Sequence, residues 1–122
     1  MVLDIKMTDK QSQLLKAECY YYMNKFDRGV EEFTNAEKLW KTTDDNYNNM
    51  AAYIKAMRGK CRYKLGNYEE ALFELNKSLS LDSTVMDVWE TFGDVNFTLK
   101  NFDTSISYYS TAIELYKKSN DN

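Results

Sequence analysis

Residues 52–85 and 86–119 are two copies of one pattern set 34 residues apart. Gly59 falls on Gly93, Tyr63 on Phe97, Leu65 on Leu99, Asn67 on Asn101 and Tyr68 on Phe102. Further along, Leu72 meets Ile106, Leu75 meets Tyr109, Ser78 meets Ala112, Leu79 meets Ile113 and Leu81 meets Leu115. Small residues stay on small and aromatics on aromatics, and within 69–81 Leu72, Leu75 and Leu79 lie on one helical face. One helix hairpin of this kind cannot bury its apolar side alone. Stacked hairpins can, and about three units are the usual minimum.

A third, more diverged unit precedes these two at a shift of 42. Asn24-Lys25-Phe26 matches the turn Gly66-Asn67-Tyr68, Gly29-x-x-x-Phe33-x-x-Ala36 matches Ala71-x-x-x-Leu75-x-x-Ser78, and Ala17 stands where the later units have Gly59 and Gly93. The expected units are therefore 10–43, 52–85 and 86–119 of a single 1–122 domain, with eight extra residues, 44–51, between the first two. The small residues Ala17, Gly59 and Gly93 let paired antiparallel helices approach closely. The pattern predicts six helices near 10–23, 27–41, 45–65, 69–81, 86–99 and 103–117, with no strand. The insertion 44–51 is expected to lengthen the third helix, making it the longest, with Asp44 or Asp45 as its cap. Asp27, Asn67 and Asp103 stand near the starts of the second helices.

Composition narrows the function. The 122 residues contain no Pro, four Gly and no His, with 16 Lys+Arg against 19 Asp+Glu. Few turn residues argue against an all-β fold. Without His, serine-type triads and His-ligated zinc are excluded. A net charge of −3 gives no basic field for nucleic acid. The first ten residues have no apolar signal-peptide core, and no apolar run reaches the ~18 residues of a membrane span. These features point to a cytoplasmic protein with no cofactor, no metal and no membrane insertion. The insertion DDNYNNMA lacks the central Gly and terminal Glu of a calcium loop. Cys19 and Cys61 share a repeat position whose third member is Val95, so both read as buried structural thiols. At a helix-packing distance of about 8–10 Å they are too far apart for a disulfide.

The third unit, Trp89-x-x-Phe92-Gly93 followed by Ser105-x-x-x-Tyr109-x-x-Ala112, resembles the tetratricopeptide repeat (TPR) family, whose spacing is also 34. The resemblance covers nearly the whole chain. It implies an all-α, antiparallel helix-hairpin solenoid of three units wound as a right-handed superhelix. It also implies a non-enzymatic scaffold or adaptor that binds a peptide or helix in its concave groove. Departures are the family's usual proline, replaced by Lys41, Ser83 and Lys117, and the charged Lys16 and Arg58 at the position of Phe92.

The groove position is carried over as Leu14, Glu18 and Tyr21 from the first unit, Tyr53, Met57, Lys60 and Tyr63 from the second, and Asp87, Glu90, Asp94 and Phe97 from the third. The subclass that clamps acidic chaperone tails needs Lys, Asn and Arg where this chain has Leu14, Glu18, Met57, Asp87 and Thr91, which disfavours that role. The charge deficit lies wholly in 86–122, with six acids and three bases. Asp87, Glu90 and Asp94 form one helical stripe, read either as partners of Lys60 or Lys64 or as facing a basic or apolar ligand. Tyr21, Tyr63 and Phe97 form an aromatic ladder that either stacks on a peptide or packs on itself. Tyr68, Tyr109, Phe26 and Phe102 are expected in the core. The alternative function is a structural subunit associating through its solenoid ends, with Ile106, Tyr109, Ile113 and Tyr116 as an open contact face and a possible homodimer through the last helix.

Overall fold

The computed structural model describes residues 8–120; the ends of the expected 1–122 domain lie outside the described residues. Within them the chain is all-α, with no strand. Six helices run α1 Asp9–Tyr22, α2 Phe26–Glu37, α3 Tyr47–Lys64, α4 Tyr68–Leu81, α5 Met86–Thr98 and α6 Phe102–Asn120. They pair as hairpins α1/α2, α3/α4 and α5/α6, and the hairpins stack in chain order through α2 on α3 and α4 on α5. This is a helical solenoid of three repeats.

The hairpins close because small residues face each other. Ala17, Ala36, Ala71 and Ser78 are fully buried, and Ser105 and Ala112 nearly so. A Cβ at Gly59 would lie 3.1 Å from Leu75, and one at Gly93 would lie 2.5 Å from the Tyr109 ring. Two serines at these contacts satisfy themselves on helix carbonyls. Ser78 donates to Ala52 O at 2.6 Å and Ser105 to Gly93 O at 2.8 Å.

The three hairpin turns are one structure with three sequences. Asn24, Gly66 and Lys100 occupy the same register and all are left-handed, with φ of 61°, 83° and 66°. The next residue's N–H reaches back to the last turn of the first helix: Lys25 to Tyr20 O, Asn67 to Arg62 O and Asn101 to Asn96 O. This is the six-to-one helix ending that Gly fits without strain and Asn tolerates. An aromatic pair then crosses each bend. Tyr21 meets Phe26 at 5.6 Å, Tyr63 meets Tyr68 at 5.8 Å and Phe97 meets Phe102 at 5.5 Å. Phe26 is partly buried against the first core cluster, whereas Tyr68 and Phe102, the latter 51% exposed, act as latches at the bend, which corrects their expected core role.

The insertion differs from expectation. Only 47–51 is helical, and 44–46 form turns. Asp44 caps no helix through its side chain. Its carboxylate takes Lys41 N–H at 2.9 Å and Lys10 Nζ at 2.6 Å, tying the loop to α1. With α3 at 18 residues and α6 at 19, α6 is the longest helix. α2 also stops earlier than the apolar pattern implied. The chain turns there to bury Trp40, 8% exposed, in the core cluster shared by α1, α2 and α3. At the other end, α1 begins with a capping box: Thr8 Oγ1 accepts from Gln11 N–H and the Gln11 side chain accepts from Thr8 N–H.

Charged residues at apolar repeat positions are paired across the first two hairpins. Arg58 is buried and donates two bonds to Glu74, with further bonds to Glu37 at 3.0 Å and Thr34 at 3.2 Å. One unit earlier the same positions hold Lys16 and Glu32, 3.5 Å apart. One unit later they hold Phe92 and Tyr108, stacked at 4.7 Å. Lysine, arginine and phenylalanine are thus three solutions to one packing position.

Two outcomes test this packing. Gly93→Ala should destabilise the fold by about 1–3 kcal/mol, and more than Gly59→Ala, because the Tyr109 ring yields less readily than a Leu methyl; urea unfolding followed on Trp40 and Trp89 measures both. The second concerns acid. Bonds from Gln13, Asn35 and Arg28, with the charge of Lys16, outweigh burial and pull the Glu32 carboxyl down to about 2. A carboxyl held below its unfolded value of about 4.3 adds stability above that pH, and the gain is lost as pH falls toward the folded value. Wild type should therefore lose more stability between about pH 5 and about pH 2 than Glu32→Gln does.

Candidate functional site

The first helices of the three units, α1, α3 and α5, carry the expected groove residues, and polar contacts join them in sequence. Tyr53 on α3 donates its hydroxyl to Glu18 on α1 at 3.0 Å. Lys60 on α3 donates to Asp87 on α5 at 2.9 Å, and its ammonium sits 5.4 Å from the centre of the Tyr21 ring of α1. Lys60 is seven residues, about two turns, beyond Tyr53 on the same helix, so both reach the two neighbours from one face. Burial opposes the Lys60 charge, but the bond to Asp87 overcomes it and holds the ammonium above the usual lysine range.

Between these contacts lies a cavity of about 180 Å³ lined by Tyr21, Lys60, Tyr63, Lys64, Glu90, Thr91 and Asp94. Five expected groove residues meet here: Tyr21, Lys60, Tyr63, Glu90 and Asp94. The stripe is not uniform. Asp87 is paired with Lys60, and Asp94 accepts the Tyr109 hydroxyl. Glu90 is exposed, with no ion-pair partner among the described residues. Partial burial and the nearby Asp87 and Asp94 carboxylates raise its pKa, and Lys60 only partly offsets them.

Other expected residues lie elsewhere. Leu14 and Met57 are buried with Phe33 and Ala36 in the core cluster, so they support the surface from beneath. Phe97, 58% exposed, is at the bend with Phe102, and Tyr63 bonds Thr98 through its hydroxyl at 2.9 Å. The ladder rings are thus each committed to their own hairpin bend rather than stacked on one another. Tyr109, expected on an open end face, is half-buried against Gly93; Ile106, Ile113 and Tyr116 are exposed. Lys64, not singled out for the groove, also lines the cavity. The signal was its place four residues after Lys60, on the same helical face.

The two cysteines part company. Cys61 is fully buried, and burial pushes its thiol up to about 12, against the weaker pull of Lys60 and Arg62. Cys19 is exposed, correcting the expectation of two buried thiols. Cys61 packs toward Gly29 of the preceding unit, whereas no described helix precedes α1. Both thiols are free. A larger cavity of about 330 Å³ is lined by Thr34, Arg58, Arg62, Glu70, Phe73 and Glu74, and its charged groups already bond one another. Among the described residues no group of three His, Cys, Asp or Glu side chains is placed to hold a metal ion, and no helix is long and apolar enough to cross a membrane.

The contrast between two acids is testable. Glu90 has a raised folded pKa, so its ionised form costs stability as pH rises past the unfolded value. Glu90→Gln should leave the melting temperature at pH 7 unchanged or higher. Asp87→Asn should lower it, because Lys60 loses its partner while still half enclosed.

Two family models for the tetratricopeptide repeat match the chain, one at residues 52–85 and one at residues 87–119, more than half its length in all. No curated protein matches it. Among solved structures, the second TPR of Spaghetti (RPAP3) bound to the HSP90 peptide SRMEEVD superposes with a TM-score of 0.70 at 18% identity, covering 88% of this chain and 93% of that one. PcrH in complex with the chaperone binding region of PopB gives 0.71 at 18% identity, covering 93% and 86%. MamA gives 0.71 at 13% identity, covering 94% of this chain and 63% of its own. The repeat register, the close-packed hairpins and the two matching repeats establish that this chain belongs to the tetratricopeptide repeat family.

Proposed function

We propose that this chain is a non-enzymatic interaction module that takes a basic segment of a partner protein along the surface of α1, α3 and α5. The observation that carries this reading is Glu90: a carboxylate at the edge of the cavity, crowded by Asp87 and Asp94 and lacking a cation of its own among the described residues. A lysine or arginine from a partner would meet the carboxylates there and relieve their mutual repulsion, with Tyr21 and Tyr63 beside it to cover the aliphatic stem. Two of the structurally similar proteins were solved with a peptide or a partner's binding region, which supports a peptide-binding use of this fold.

An acidic tail of the SRMEEVD kind does not suit the same surface. At the positions that would clamp it, Leu14, Met57 and Thr91 are buried, Glu18 is held by Tyr53, and Asp87 is held by Lys60. No cation stands at any of the five.

Fluorescence anisotropy with a lysine-rich amphipathic peptide and with SRMEEVD separates these readings. The basic peptide should bind, weaken as salt rises, and lose about tenfold in affinity when Asp87→Asn, Glu90→Gln and Asp94→Asn are combined. SRMEEVD should bind no better than its scrambled sequence. Equal binding of the basic peptide by wild type and the triple variant, or salt-sensitive submicromolar binding of SRMEEVD, would overturn the proposal.

A further inference from the structure

Among the described residues, each end of the stack lacks a neighbour that the interior supplies. Ile54, Met57 and Cys61 of α3 are buried in the cluster that holds Phe33 and Ala36 of the preceding unit. Val88, the α5 counterpart of Ile54, is buried with Leu75 of the unit before it. On α1 the same three register positions are Ser12, Leu15 and Cys19. All three are exposed, Leu15 at 46%. The other end shows the complement. Leu72 and Leu79 of α4 pack on the cluster containing Val88 and Phe92 of α5. Their α6 counterparts, Ile106 and Ile113, are 62% and 53% exposed.

We propose that the uncovered face of α6, around Ile106 and Ile113, takes the α1 face of a second copy, around Leu15 and Cys19, so that copies associate head to tail. The occupant follows from continuity. The chain already joins these two kinds of face twice, at α2 on α3 and at α4 on α5. A second copy brings the matching α1 positions to the open α6 face in the same register. Ser12, Leu15 and Cys19 carry no charge, and neither do Ile106 and Ile113, so no like charges meet at the centre. Two α6 faces set together would make a contact that the fold uses nowhere among the described residues. Head-to-tail contact joins different surfaces and need not close, so it builds chains longer than a dimer. This inference is independent of the groove reading.

The test uses sedimentation of the intact protein from micromolar to near-millimolar concentration. Growth past the dimer is expected for wild type. Leu15→Glu and Ile113→Glu should each yield monomers, with circular dichroism confirming that both remain folded. An equimolar mixture of the two should restore a dimer, because one variant keeps a sound α6 face and the other a sound α1 face. The thiols give a second readout on the unaltered protein. Cys19 is accessible and Cys61 is buried, so alkylation of Cys19 should slow several-fold as concentration rises. A monomer throughout with unchanged Cys19 reactivity overturns the proposal. So does Ile113→Glu abolishing association while Leu15→Glu leaves it intact, since that pattern means α6 pairs with α6.

Discussion

The distance between the two helices of a hairpin governs the rest of this molecule. At Gly59 and Gly93 a single added carbon would run into the side chain of the opposing helix, and at Ala17 that carbon is tolerated but fully enclosed. Backbones this close leave no room for large side chains on the facing surfaces. Bulk is therefore displaced to the flanks, where it forms one face toward the previous unit and one toward the next. The solenoid follows from that displacement, because each flank is apolar and needs another hairpin against it. The groove follows too. With large residues directed to the stacking faces, the remaining side of α1, α3 and α5 is left for polar and aromatic groups.

The groove's charges are anchored to that same packing. Asp94 is fixed by the hydroxyl of Tyr109, whose ring lies against Gly93. Burial and this bond push the Tyr109 phenol up to about 12, so it stays a donor across the physiological range. Lys60 is held between the Tyr21 ring and Asp87, and Glu18 between α1 and the Tyr53 hydroxyl. Glu90 has no such tether among the described residues. A ligand would meet a surface whose fixed groups are already in place, which lowers the ordering cost of recognition.

What the amino-acid sequence revealed was whatever the repeat copies faithfully. Helix number and the paired small residues follow from register alone, since Gly59 over Gly93 and Ser78 over Ala112 carry the same steric demand. Cys19 was misplaced for the same reason: register equates it with Cys61, but burial there depends on a preceding helix, and none precedes α1 among the described residues. Leu14 and Met57 were assigned to the groove by family position, yet in this chain their apolar side chains reach the core cluster. The pairing of Arg58 with Glu74 was hidden because the two belong to different helices and neither fits the family pattern. Comparison of Glu32, Glu74 and Tyr108 at one register position carries the missing signal. Asp44 was read as a helix cap, whereas loop closure with Lys41 and the reach of Lys10 compete for the same carboxylate.

The three cross-hairpin pairs also differ in kind along the chain, and this gives the stack a direction. The first unit relies on Lys16 and Glu32, the second on Arg58 between Glu74 and Glu37, and the third on the stacked rings of Phe92 and Tyr108. In an array where stability is a sum of unit and junction terms, unequal units need not open together. Protons and salt weaken the ionic pairs and leave the aromatic one untouched. Loss of structure under acid would then begin at the amino-terminal units and travel toward the carboxyl-terminal one, with α5 and α6 the last to separate. The repeats, though built to one plan, are consequently not exchangeable parts. Moving the third unit into the second position would set Phe92 where Arg58 now stands and leave Glu37 with Lys55 alone.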